Sequence, residues 1–144
     1  MLVGLVQAGN CGIGMKYPVK VQTMCNTFTQ DIDKSVAQCV EMAAAGADLI
    51  RLTTQGLKEV EALKEIKAIL RGKGIEIPLV ADVHFSSEVA IEVAKVADKV
   101  RINPGNIGSL DRVRAVVDAA RERDIPIRVG VNSGSLEKTL IEKY

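Results

Sequence analysis

Aromatic residues are scarce in this chain. Phe28, Phe85, Tyr17 and Tyr144 are the whole set, and tryptophan is absent. A nucleic-acid surface combines a basic cluster with nearby aromatics. Neither is present, and the formal net charge is only +1, so no nucleic-acid partner is expected and global charge names no other. Cysteine is also sparse: Cys11, Cys25 and Cys39. An odd count without tight spacing argues against a disulfide framework and for a reducing compartment. No Cys-x-x-Cys occurs, so a local zinc or iron–sulfur site has no support, and Cys25 and Cys39 read as small buried apolar residues. No apolar run approaches the ~20 residues of a membrane helix. The start, Met1-Leu-Val-Gly-Leu-Val6, lacks the basic and long apolar regions of a signal peptide. The expectation is a cytoplasmic protein with no membrane contact.

What remains is ordinary for a folded domain: 47% hydrophobic and 26% charged over 144 residues, a length that suggests one domain. The apolar mass is Val, Ile, Leu and Ala, which suits parallel strands buried under helices. Glycines and Pro18 make the segment 2–19 read as turns and a short hairpin, able to lie across the bottom of a barrel. From there strands alternate with helices. Strands are expected at 19–24, 48–53, 78–83, 99–103 and 126–131. Helices are expected at 33–45, 57–70, 86–97 and 110–123, with a fifth beginning at Ser135. Alternation of this kind implies right-handed βαβ units in a parallel sheet. No Gly-x-Gly-x-x-Gly follows the first strand, and polar residues end every strand. The fold expected is therefore α/β, a partial TIM-type barrel of about five βα units out of eight. Its open edges call for more chain or for a second copy.

Sorting each strand by parity separates two faces. One carries Val21, Ile50, Leu52, Val83, Val100, Ile102, Ile127, Val129 and Val131 and is expected to meet the helices. The other carries Gln22, Met24 and Asn26, Arg51, Asp82 and His84, Arg101 and Asn103, then Arg128, Gly130 and Asn132. Charges on an inward face need partners, solvent or a ligand. Arg51, Arg101 and Arg128 come from three strands, and guanidinium forks match phosphate oxygens. An anionic substrate, a phosphate or diphosphate, follows. The plainer alternative is that these arginines pair with Asp82, Asp48 or other carboxylates and only hold the barrel together. His84 is the sole histidine, two residues after Asp82 on the same face, where it suits a polar or acid–base role. Asp82 suits orienting it, holding a cation or bonding a hydroxyl. Asn26, Asn103 and Asn132 add neutral donors and acceptors. The 103–108 loop is a tight turn or an amide nest for an anion. Asn132-Ser-Gly-Ser135 offers amides at a helix start.

Five blocks carry a resemblance: Val21-Gln-Thr-Met-Cys-Asn-Thr27, Ala45-Gly-Ala-Asp48 with Arg51, Pro78-Leu-Val-Ala-Asp-Val-His-Phe85, Val100-Arg-Ile-Asn-Pro-Gly-Asn-Ile-Gly108 and Arg128-Val-Gly-Val-Asn-Ser-Gly-Ser-Leu-Glu-Lys138. Together they resemble the 4-hydroxy-3-methylbut-2-en-1-yl diphosphate synthase family of the methylerythritol phosphate route to isoprenoids. The resemblance implies an iron–sulfur oxidoreductase that opens the ring of 2-C-methyl-D-erythritol 2,4-cyclodiphosphate and removes a hydroxyl as water, using two electrons. It implies that Arg51, Arg101 and Arg128 are basic substrate ligands, that Asp82, Asn103 and Asn132 are polar ones, and that His84 and Asn26 lie in the same motifs. It further implies a [4Fe–4S] cluster held by three cysteines and a glutamate of a separate C-terminal domain, a homodimer, and flavodoxin or ferredoxin as electron donor. Residues 1–144 then correspond to the N-terminal part of the barrel, with the cluster domain absent and Cys11, Cys25 and Cys39 matching none of its ligands. The alternatives are a non-catalytic partial barrel used for binding or assembly, and another phosphate-handling barrel enzyme without a cluster.

Overall fold

A computed structural model describes residues 4–132 and 134. Strands β1 (Val6–Ala8) and β2 (Cys11–Ile13) form an antiparallel hairpin. The rest alternates: β3 (Gln22–Met24), α1 (Ile32–Ala44), β4 (Leu49–Thr53), α2 (Leu57–Gly72), β5 (Leu79–Val83), α3 (Ser87–Ala94), β6 (Lys99–Ile102), the single turn α4 (Pro104–Ile107), α5 (Leu110–Glu122) and β7 (Ile127–Val129). The five later strands make one parallel sheet in the order β3-β4-β5-β6-β7. An order that never reverses has no switch point, so the helices stay on one side and the sheet curls as a barrel wall rather than opening as a doubly wound sheet.

The parity sort decides the two layers. Ile50, Leu52, Leu79, Ala81, Val83, Val100 and Ile102 are buried in one core with Val36, Leu63, Ile66, Val93 and Val116 from the helices. On the opposite face, Leu49 and Val80 at the entrances of β4 and β5 pack under Ala8, Cys11 and Ile13 of the hairpin. The hairpin therefore closes the bottom of the inner face, as its turn-rich sequence leads one to expect. Three valines depart from the sort. Val21, Val129 and Val131 are exposed, because they lie on or beside the edge strands, where packing comes from one side only.

Helix boundaries follow local chemistry. Asp31 and Ser86 cap α1 and α3 by accepting from the amides of Lys34 and Val89, as N-cap side chains do. Helix α1 ends in a six-to-one motif: Ala47 N–H reaches Met42 O and Gly46 N–H reaches Ala43 O, with Gly46 at φ 94°. Helix α2 repeats it at Gly74. Helix α5 uses the same motif with Asp124, the one non-glycine at positive φ among the described residues, at 51°. Helix α3 stops at Ala94, short of the expected 97. Its end tightens into three-residue bonds, and Lys67 Nζ takes the carbonyl of Val96 at 2.7 Å. The expected strand at 19–24 is laddered only from Gln22. Its first part is fastened instead by Asp48, which accepts the Val21 amide at 2.8 Å and pairs with Lys20 at 3.2 Å. The helix expected from Ser135 lies outside the described residues.

Two measurements follow. Asp124→Gly removes the cost of a left-handed backbone at a side-chain-bearing residue and should stabilise the fold by up to about 1 kcal/mol, read as a raised urea midpoint. The Val21 amide, with Lys20 second, holds the Asp48 carboxyl below the usual carboxylate range. A depressed folded value means the contribution is complete above the unfolded pKa, near 4, and fades as pH falls through the folded one. Asp48→Asn should therefore lower the urea midpoint at pH 6, with the difference from wild type shrinking in the acid range.

Candidate functional site

The floor of the barrel mouth is built around Asp82, near the end of the central strand β5, its side chain 1% exposed. Register sets its neighbours: Thr53 of β4 on one side and Arg101 of β6 on the other, with Arg101 in turn opposite Arg128 of β7. Arg101 Nη1 donates to Asp82 Oδ1 at 3.1 Å, and Arg51 Nη2 donates to Oδ2. A buried carboxylate is tolerable only when paired in this way. One carboxylate between two guanidinium groups leaves the cluster with a net positive charge. Each guanidinium has five donors, so N–H groups remain beyond these bonds, and Arg101 Nη2 turns one to Gly130 O at 3.4 Å. Among the described residues, Arg51 Nε and His84 Nδ1 are buried polar atoms without a hydrogen-bond partner. His84 Nε2 stands 3.7 Å from Asp82 Oδ2, an ion-pair distance rather than a hydrogen bond. Its ring sits against Phe85, centroids 5.9 Å apart.

The structure thus unites Arg51, Asp82, His84 and Arg101. Two arginines do pair with Asp82, as the plainer alternative required, yet the pairing aims them with donors to spare. Asn103 is buried beside the cluster, and its Oδ1 accepts the Gly105 amide to cap α4. The 103–108 segment is therefore a short helix followed by Gly108 rather than a bare turn. Asn132 is exposed beyond β7.

Two expected members stand apart. Arg128, although its Cα stands opposite Arg101, lines a cavity of about 570 Å³ with Lys20, Gln22, Leu49, Lys99 and Tyr17 rather than pairing with Asp82. There burial, and then repulsion from Arg128, pushes the Lys99 ammonium below its usual value. Asn26 turns toward α1: its Oδ1 accepts from Gln38 Nε2 at 2.6 Å and its amide donates to Gln38 Oε1 at 3.0 Å. The Thr27 amide reaches the same oxygen at 3.4 Å. Gln38 was hidden in the sequence because a glutamine on an amphipathic helix reads as solvated surface. Gly130, just past β7, carries a role the sequence reading did not assign, since glycine there lets another group approach closely. A Cβ there would lie 2.3 Å from Arg101 Nε.

A parallel sheet with helices on one face, a plugged bottom and a cationic cluster at its strand ends defines a (β/α)-barrel domain. The chain belongs to the GcpE TIM-barrel domain family, which it matches over residues 4–144. Among curated relatives it is 53% identical over 137 residues to the 4-hydroxy-3-methylbut-2-en-1-yl diphosphate synthase (flavodoxin) of Idiomarina loihiensis, covering 94% of this chain and 36% of that protein. It is 49% identical over 140 residues to the enzymes of the same name from Marinomonas sp. and Haemophilus influenzae, covering 96% of this chain and 36% and 37% of those proteins. The chain thus spans little more than a third of the length of these relatives. A dihydropteroate synthase from Xanthomonas albilineans shares the fold, with a TM-score of 0.57 at 18% identity, over 85% of this chain and 50% of that one. None of the helices among the described residues is long and apolar enough to cross a membrane.

Because the Arg101 head group rests on the bare Cα of Gly130, Gly130→Ala should push it off Asp82 and leave a buried carboxylate oxygen short of a partner. The expected loss is about 1–3 kcal/mol in urea unfolding. Wild-type stability in that variant would show that Arg101 contributes nothing to the pair.

Proposed function

We propose that this chain is the N-terminal part of a substrate-binding barrel, and that it holds the diphosphate of 2-C-methyl-D-erythritol 2,4-cyclodiphosphate. The whole protein would open that ring reductively and release 4-hydroxy-3-methylbut-2-enyl diphosphate. The names of relatives at about 50% identity support the substrate class. The observation that carries the reading is the pair of guanidinium groups held on buried Asp82, each with donors left over. Arg51 and Arg101 bind and orient the phosphate oxygens. His84, partly exposed and with its Nε2 3.7 Å from Asp82 Oδ2, stands beside them as a further polar contact. Asn103 and Asn132 border the same strand ends, Arg128 adds positive potential from the neighbouring strand, and Asn26 shapes the rim through Gln38.

The chain's own cysteines do not fit a cluster. Cys25 and Cys39 sit together in the helix-side core, while Cys11 lies in the hairpin cluster on the opposite face. In this reading a [4Fe–4S] cluster, which would supply the two electrons, belongs to a further domain. Flavodoxin, which the relatives' names specify, is the electron donor. A homodimer would bring that domain over the mouth, and the cytoplasm is the compartment of such a protein.

Isothermal titration with the cyclic diphosphate tests the reading once circular dichroism shows the chain folded. Saturable binding that Arg51→Ala weakens by about 1.5–3 kcal/mol, the worth of a charge-assisted bond, is expected. Arg128→Ala should cost less, since its side chain lines the lower cavity and is not held on Asp82. A folded chain that binds nothing, or an Arg51→Ala variant that binds as tightly as wild type, would refute the assignment.

A further inference from the structure

Cys25, just after β3, and Cys39, in the middle of α1, bring their sulfurs to 3.7 Å within hydrogen-bonding contact. Both are buried, Cys39 completely and Cys25 at 6% exposure. Nothing in the diphosphate-binding scheme uses either. Fourteen positions separate them in sequence, and the β3–α1 connection folds them face to face. We propose that Cys25 and Cys39 are a peroxide-responsive thiol pair that closes into an intramolecular disulfide in the wall of the barrel mouth. The idea goes beyond the diphosphate reading and does not depend on it.

Geometry supports closure and assigns the roles. A disulfide needs sulfurs ~2.0 Å apart, so the pair must approach by about 1.7 Å. Cys25 lies on the wall of a cavity of about 290 Å³, shared with Asn26, Phe28, Thr53 and Glu59, which gives a small oxidant a path to its sulfur. Cys39 lies behind it, shielded. The hydrogen bond between the two sulfurs, in which either can donate, holds the Cys25 thiol below its usual range, and the same bond, then burial, pushes Cys39 up. Thiolate character and access select the sulfur that oxidises first, so Cys25 is attacked and Cys39 resolves. Cys11, in the hairpin strand β2 on the other face of the sheet and pushed up by burial, is the internal control.

The chemistry balances with hydrogen peroxide as the only co-reactant. The Cys25 thiolate attacks one peroxide oxygen; an S–O bond forms, the O–O bond breaks, and the departing hydroxide takes a proton to become water. Cys25 is now a sulfenic acid, oxidised by two electrons. The Cys39 sulfur then attacks the Cys25 sulfur, the S–S bond forms, and hydroxide leaves with the Cys39 proton as a second water. The new bond lies next to Gln38, which already grips Asn26 and Thr27. Oxidation therefore ties the β3–α1 rim loop to its helix covalently.

The test treats the folded full chain with hydrogen peroxide, alkylates remaining thiols and maps the peptides by mass. The expected product is a Cys25–Cys39 linked peptide lighter by about 2 Da, for two lost hydrogens, with Cys11 alkylated. Cys25→Ser should leave Cys39 reduced, and Cys39→Ser should leave a Cys25 sulfenic acid that a dimedone probe captures. Cys25 driven to sulfinic acid with no linked peptide in the wild type would overturn the proposal. So would thiols that stay reduced until the chain is denatured. The wild-type map decides by itself if a variant does not fold.

Discussion

The inner face of this sheet depends on one buried carboxylate. Asp82 lies in the middle strand of five, and its charge is tolerable there because β4 and β6 each deliver a guanidinium to it. Removing either arginine leaves a charge in a poorly solvated place, and removing Asp82 leaves two cations facing each other. Buried ion pairs of this kind add little net stability over apolar replacements, but breaking one is costly. The cluster therefore fixes the alignment of three strand ends more than it strengthens them. That alignment is also what a phosphate-binding floor requires, since the donors are held in place before any ligand arrives.

Below that cluster the same face changes character. Leu49 and Val80, one layer down, are sealed by Ala8 and Cys11 of the hairpin. The inner face is thus apolar at the entrances of β4 and β5, while Lys99 and Arg128 keep the β6–β7 side polar. A packed bottom beneath a charged top is the usual division in barrels, where the bottom carries stability and the top carries function.

Much of this was legible in the sequence. Strand–helix alternation and strand parity gave the architecture, the helix-facing residues and the gathering of Arg51, Asp82, His84 and Arg101 on one face. Parity cannot say how far along the barrel axis a side chain reaches, and so it grouped Arg128 with the upper arginines although it borders the lower cavity. Nor can it follow a chain past the end of its strand, which is why Asn26 was expected inward but bonds to Gln38 on α1. Val21, Val129 and Val131 read as core because composition does not reveal that a strand lies at an edge. The thiol pair was invisible for a related reason: its two members belong to different elements, and only the angle of the β3–α1 turn decides that they meet.

Asp48 and Asp98 share a task. Each sits just before a strand and accepts the amide that opens the preceding one, Val21 for Asp48 and Leu79 for Asp98. Three residues after each stands an arginine that reaches Asp82. The phrases Ala47-Asp-Leu-Ile-Arg-Leu52 and Ala97-Asp-Lys-Val-Arg-Ile102 are thus one device used twice, on alternate strands. The repeating module of this wall is two strand–helix units long, with a fastening at its foot and a cation at its head. Since both cations close on the single Asp82 of the strand between them, a graft into another barrel keeps the heads intact only when β4, β5 and β6 travel together.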